Sequence, residues 1–389
     1  MNYDNGAGVL TLAKTKRKSE FFKAQNRIAY LMFAVLLCEL IGGVTLAIFE
    51  LTDPQMFADD RIKETVNGLV YIFYMLTPSL IYLSVQSKKG RVKHAEKPKD
   101  AHPFALFLFG LGIVYVGQLA SFAMASYFGG MGIDLYAATE QTASSDPVLF
   151  AIQIIHIALI PAILEELLAR HIILTELVPY GRGFAVMVSA LMFSLMHMNP
   201  IQMPFAFISG LAMAYTTVAT GSVIPTFFLH FINNALSIIL TFLPSFTDEK
   251  TTYITDIVIT FAIMIAGAAA GIYLLLVKRK KKAKEEEQTE VTYRGEPAVT
   301  NIEETAEINE EETTGESIAE AEFSEPEPQS VTEDTQAAKT AEEKAAEINV
   351  IEGGIISNIS PAMRAYIIAA LVCTLLTFFL LWGGSALGI

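Results

Sequence analysis

Residues 28–49 read IAYLMFAVLLCELIGGVTLAIF. As a helix rising about 1.5 Å per residue, a nearly uncharged run of this length crosses a hydrocarbon core of roughly 30 Å. It exceeds the core of a secretory signal peptide, and no small-residue cleavage site follows, so it reads as a retained membrane span. Similar runs recur at roughly 69–85, 104–128, 148–164, 184–198, 201–219, 223–244, 253–277 and 366–387, the fourth continuing as helix toward Pro179. The expected fold is therefore all-α, a polytopic transmembrane bundle of about nine spans. The composition agrees: 52% of the 389 residues are apolar, 17% are charged, and mean hydropathy is +0.43. A soluble domain carries about 25% charged residues.

The net charge of −14 is local in origin. Residues 285–349 hold 21 acidic residues against Arg294, Lys339 and Lys344, a charge of −18, so the remainder of the chain is +4. The basic residues of that remainder sit in a few loops, which gives a nucleic-acid-binding role no support. Residues 285–352 are poor in aromatics and rich in Glu, Thr and Ala. Such a composition buries too little apolar area to offset its ordering entropy, and the segment reads as a disordered acidic tail. Cys38 and Cys373 lie in apolar runs, and the absence of a CxxC pair indicates neither a disulfide framework nor a thiolate metal site.

Basic residues cluster before the first span (Lys14 to Arg27), after the second (Lys88 to Lys99) and after the eighth (KRKKKAK, Lys278 to Lys284), whereas 129–147 carries acids and no base. Alternation over nine spans puts all three clusters on one side, expected to be cytoplasmic. The expected organisation is a basic cytoplasmic N-terminus at 1–27, membrane helices at 28–144, a polar-bearing core at 145–240, an eighth span with its basic anchor at 241–284, the cytoplasmic acidic tail at 285–352 and a last membrane helix at 366–387. The expected location is the cell membrane.

Ionisable residues within a bilayer are costly and mark functional candidates. They concentrate between 165 and 234. In EELLAR, Glu166 and Arg170 are four apart and share a helix face, while Glu165 is rotated about 100° away and left without a helical partner. A carboxylate in an apolar site is a stronger base than one in water, which suits general-base chemistry. Glu165 and His197 each lie sixteen residues from Gly181, so an antiparallel hairpin turning there sets them level. His230 and Asn234, in HFINN, are four apart on one face, with Asn233 pointing elsewhere. An imidazole and an amide so placed can donate to one developing oxyanion, or they can hydrogen-bond between helices. His156 and His171 read as support or packing, and Pro161 as a kink one turn before Glu165. No HExxH, serine elbow, GxGD pair or Cys beside His is present, so the chemistry rests on Glu, His and Asn.

EExxxR at Glu165-Glu166-Arg170, FxxxH at Phe193-His197 and HxxxN at His230-Asn234, in that order on successive spans, resemble the CPBP family of intramembrane proteases, also called the CAAX protease and bacteriocin-processing or Abi family. The resemblance covers about residues 145–240. It implies a glutamate-dependent endopeptidase acting on a membrane-associated protein or peptide; the family's metalloprotease name leaves a metalloendopeptidase as one version. Glu165 would match the water-activating carboxylate, with His197 helping to hold the water. His230 and Asn234 would match the oxyanion pair, and Glu166, Arg170 and Phe193 the supporting positions. The cofactor stays open between two versions. Glu165, His197 and His230 can form a two-His, one-carboxylate site for zinc or another divalent metal with an open water position, or they can activate water without metal. Two competing readings are a proton-coupled secondary transporter, whose Glu and His would form a proton relay, and a non-proteolytic scaffold or immunity protein of the same family.

Overall fold

The computed structural model describes residues 5–88, 101–131, 144–293 and 358–387. The basic loop after the second span, most of 129–147 and the acidic tail from 294 to 357 lie outside the described residues. Among the described residues every regular element is helical. We number the main helices α1 (Asn5–Thr52), α2 (Asp60–Lys88), α3 (Pro103–Gly129), α4 (Pro147–Tyr180, a composite), α5 (Arg182–Leu195), α6 (Gln202–Thr220), α7 (Ile224–Phe242), α8 (Glu249–Tyr293) and α9 (Pro361–Leu387). Two compact units are distinguished: residues 1–13 with 275–348, and residues 14–274 with 349–389. The second holds every candidate site residue.

Eight of these helices are long and apolar enough to cross a membrane. The exception is α5, where the sequence leads us to expect a full span at 184–198. Its 14 residues make a rod of only about 21 Å. The helix ends at Leu195 with a right-handed cap at Met196 and gives way to a turn ahead of Asn199-Pro200, where proline disfavours helix in the residue before it. Within that turn Met198 adopts φ 45°, a left-handed conformation uncommon for a side chain with a Cβ.

Two further boundaries differ from the sequence reading. Residues 5–27 are the first turns of α1 rather than a separate segment. Phe21 is fully buried between the rings of Tyr180 and Phe184, Arg17 Nη2 donates to Pro179 O at 2.7 Å, and Arg27 pairs with Glu176 at 2.7 Å. These contacts extend α1 beyond its apolar run. At the other end, α8 continues as helix past residue 285 to Tyr293. Lys, Ala, Glu and Gln are good helix formers, and Lys282 pairs with Glu286 one turn on at 3.3 Å.

The core joins α4, α5, α1 and α9 through Leu168, Ile172, Met192, Met32 and Met363, all buried. Small residues set the close crossings. A Cβ on Gly210 of α6 would meet Ala190 Cα of α5 at 3.0 Å, and one on Gly112 of α3 would meet Gly267 Cα of α8 at 2.8 Å, as expected where apolar helices pack without a hydrophobic driving force between them. Helices α2 and α4 run parallel, joined at three levels: Glu64 to His156, Tyr71 to Glu165 and Tyr82 to Glu176. The start of α9 is clamped to α1 by Gln25, whose side chain donates to Asn358 O and accepts from Ser360 N, both at 2.8 Å.

Candidate active site

Helix α4 is not a uniform α-helix. Residues Ile160–Glu166 are α-helical between two π-helical stretches, Ile154–Leu159 and Leu167–Leu174. A π turn widens the helix and leaves backbone carbonyls that need other donors. Ser189 Oγ serves Ala169 O at 2.8 Å, Thr175 Oγ1 serves Arg170 O at 3.0 Å, and the Asn234 amide serves Ile157 O at 3.1 Å. Pro161, read from sequence as a kink, follows the first π stretch. The α-helical turn between the two wide stretches presents Glu165 and Glu166 to different neighbours.

Glu166 and Arg170 are essentially fully buried, and their Oε2 and Nε atoms lie 3.3 Å apart. That contact lacks hydrogen-bond alignment, so it acts as a charge pair. The guanidinium also lies over the Phe193 ring, 4.4 Å from its centroid, a cation–π contact that is strong when desolvated. The other Glu166 oxygen, Oε1, faces His230 Nδ1 at 3.3 Å. A carboxylate oxygen only accepts, so His230 Nδ1 is the donor and Nε2 is turned away from Glu166. Phe193 packs edge-on against both His197 and His230, with centroids 5.0 and 5.9 Å away.

His197 stands just beyond the end of α5, where its Nδ1 donates to Phe193 O at 2.7 Å. This bond fixes the ring and presents Nε2 to Glu165. Glu165 Oε2 lies 4.0 Å from His197 Nε2 and 3.8 Å from His230 Nε2. The hairpin about Gly181 thus sets Glu165 and His197 level, and α7 brings His230 to the same place. Asn234, one turn after His230, donates to Ile157 O, and its own oxygen accepts from Asn233 Nδ2 at 3.0 Å. Asn233 in turn accepts from Gln118 Nε2 of α3 at 3.0 Å. Three of the four predicted catalytic residues therefore face one another, while the Asn234 amide is engaged one turn away.

Two contacts have no counterpart in the sequence reading. The Tyr71 hydroxyl donates to Glu165 Oε1 at 2.5 Å, and His156 Nδ1 pairs with Glu64 Oε2 at 2.7 Å. Both come from α2, where the apolar pattern marks only a span and nothing flags a tyrosine.

Zinc ligands at about 2.0–2.2 Å from a tetrahedral metal are about 3.4 Å from one another. The Glu165 oxygen and the two imidazole nitrogens stand wider than this, at 3.8 and 4.0 Å. Among the described residues no three His, Cys, Asp or Glu side chains are grouped to hold a metal ion. The donor set as arranged does not fit a zinc centre.

Residues 147–236, from the first residue of α4 to the latter half of α7, match the model of the family described as type II CAAX prenyl endopeptidase Rce1-like. This stretch is a Rce1-like domain of the CPBP/Abi family, and the chain is a multi-pass membrane protein of which the domain forms part. The family is one of CAAX endopeptidases, which implies protein substrates. Neither a curated protein nor a solved structure matches the chain.

Proposed function

We propose that the domain is a glutamate-dependent intramembrane endopeptidase that hydrolyses a peptide bond of a membrane-associated protein or peptide. The observation that carries this reading is the single Glu165 oxygen, Oε2, buried without a hydrogen-bond partner and facing the Nε2 atoms of both His197 and His230. Separations of 3.8 and 4.0 Å are too long for a direct hydrogen bond, yet one water with arms of about 2.8 Å can touch Glu165 and either imidazole.

In this mechanism Glu165 takes a proton from that water as its oxygen attacks the peptide carbonyl. The proton is then delivered to the leaving amine. His197, its ring fixed by the Phe193 carbonyl, accepts from the same water and holds it. Negative charge builds on the carbonyl oxygen, and His230 and Asn234 are the groups to stabilise it in a site of low dielectric. With Nδ1 donating to Glu166, His230 donates from Nε2 only when it carries a second proton, and Glu166 stands beside it as the counter-charge. Asn234 joins by rotating its amide away from Ile157 O. Glu166, Arg170 and Phe193 hold His230 and the floor of the site.

The basic flanks of α1 and the loop after α2 favour an orientation with the N-terminus cytoplasmic.

The test is release of a labelled fragment from membrane-bound peptides, prenylated and unprenylated, by purified protein in proteoliposomes. Glu165→Gln should lower kcat by about 10²–10⁴-fold with the protein still folded. Wild-type turnover by that variant overturns the mechanism.

A further inference from the structure

Glu165 has two oxygens, and the structure treats them differently. Oε2 faces the imidazoles with no hydrogen-bond partner, whereas Oε1 accepts a 2.5 Å hydrogen bond from Tyr71. Tyr71 lies on α2, outside the stretch that matches the protease family. We propose that Tyr71 is a positioning residue of the peptidase, anchoring one oxygen of Glu165 so that the other is held toward the water site. The inference rests on Glu165 being the base.

A glutamate side chain has three rotatable bonds, and a free carboxylate exchanges its oxygens by rotation. A single strong donor on Oε1 removes that freedom. Charge-assisted O–H···O⁻ bonds of about 2.5–2.7 Å are the strong class. The donor is itself held. The Tyr71 ring packs edge-on to Tyr74 at 5.0 Å and to His156 at 6.4 Å. His156 is pinned by Glu64 at 2.7 Å. Gly68, one turn from Glu64 on α2, makes room for that imidazole: a Cβ there would stand 3.2 Å from its ring. Glu64, Gly68 and Tyr71 fall at helical spacing on one face of α2, and that face is shaped around α4. The Tyr82–Glu176 contact at 2.7 Å fixes the same register eleven residues further along both helices. The hydroxyl is thus aimed by the α2–α4 register and does not depend on the motif-bearing helices α5 and α7.

The alignment matters because misplacing a reacting group by about 1 Å can cost on the order of 10²-fold. Removing the hydroxyl leaves substrate contacts intact and lets the carboxylate swing, which affects turnover and spares binding.

The experiment compares Tyr71→Phe, Tyr82→Phe and Glu165→Gln in the full chain, reading kcat, KM and thermal unfolding in proteoliposomes. Tyr71→Phe should lower kcat about 10- to 100-fold with KM within about twofold. Tyr82→Phe removes the same kind of hydroxyl–carboxylate contact away from the site and should leave kcat within about twofold. If both lower kcat equally, the effect is helix packing and the proposal fails. Wild-type kcat in Tyr71→Phe with an inactive Glu165→Gln overturns the role of Tyr71 alone. An active Glu165→Gln overturns the reading of the base itself. Should Tyr71→Phe not fold, 3-fluorotyrosine at position 71 keeps the ring and changes only the donor strength. An unchanged kcat there also overturns the proposal.

Discussion

Helices α4 and α8 are the same kind of object by hydropathy and different kinds by structure. Both are long, and their most apolar windows are equally hydrophobic. In α8 that window is a regular helix with 11% of its residues buried. In α4 a third of the window is buried, the helix widens twice into π turns, and Glu165, Glu166 and Arg170 are buried just past the window in the same helix. Hydropathy thus reports what can enter a bilayer. It does not report which span buries ionisable groups, whose cost only a surrounding network can offset.

The contrast is broken most forcefully at Arg170. Arg170→Ala leaves Glu166 buried without its counter-charge, and removing one partner of such a pair costs about 3–5 kcal/mol. Unfolding of the detergent-solubilised protein should show this, and a wild-type midpoint would mean that Glu166 needs no cation. Next in size is a matched pair of truncations. Leu168→Ala on α4 empties a fully buried position and should cost about 2–5 kcal/mol. Ile265→Ala on α8, where the side chain is 67% exposed, should stay within about 0.5 kcal/mol. Equal losses would show that α8 is covered in the folded protein.

A smaller effect is expected at Met198, whose left-handed φ of 45° carries strain of about 1–2 kcal/mol in a residue with a Cβ. Met198→Gly relieves it, and chain entropy takes part of the gain back. Stability should rise by less than about 1 kcal/mol. A loss of more than that would mean the Met198 side chain is needed for packing.

The smallest lies outside the bilayer. The Arg61 guanidinium holds the carboxyl of Asp146 below its ordinary range. The lowered value means the pair contributes above the unfolded pKa of about 3.9 and loses its contribution as pH falls through the folded value. Asp146→Asn keeps the N-cap and should differ only slightly from wild type at pH 7. The two unfolding curves should coincide in stronger acid, and a gap that widens with acid would contradict the assignment.

Much of this was legible from residues alone. The spans follow from apolar runs, because the bilayer imposes length. Equal spacing of Glu165 and His197 about Gly181 set them level, and the structure leaves 4.0 Å between them. The Glu166–Arg170 contact follows from helical geometry. What escaped has physical causes. The shortness of α5 is set by the turn at Met196–His197 ahead of Asn199-Pro200, which an apolar pattern running to residue 198 passes over. The π turns depend on distant donors such as Ser189. Tyr71 is one tyrosine among several on apolar helices, and only the parallel docking of α2 on α4 gives it a partner. The helical extensions of α1 and α8 run through charged sequence, where hydropathy cannot follow.

The clamp at Gln25 has a consequence for how the last helix is retained. Two hydrogen bonds and the packing of Met363, Tyr366 and Ala370 hold the start of α9 against the rest of the bundle. None of these contacts uses the peptide chain between residues 293 and 358. Retention of α9 is therefore a docking equilibrium that the covalent link makes unimolecular. If the chain is severed in that interval, α9 becomes a peptide ligand for its own protein, with a dissociation constant that can be measured. A fragment beginning near residue 358, produced alongside residues 1–293, should co-purify with it, and Gln25→Ala should weaken that recapture.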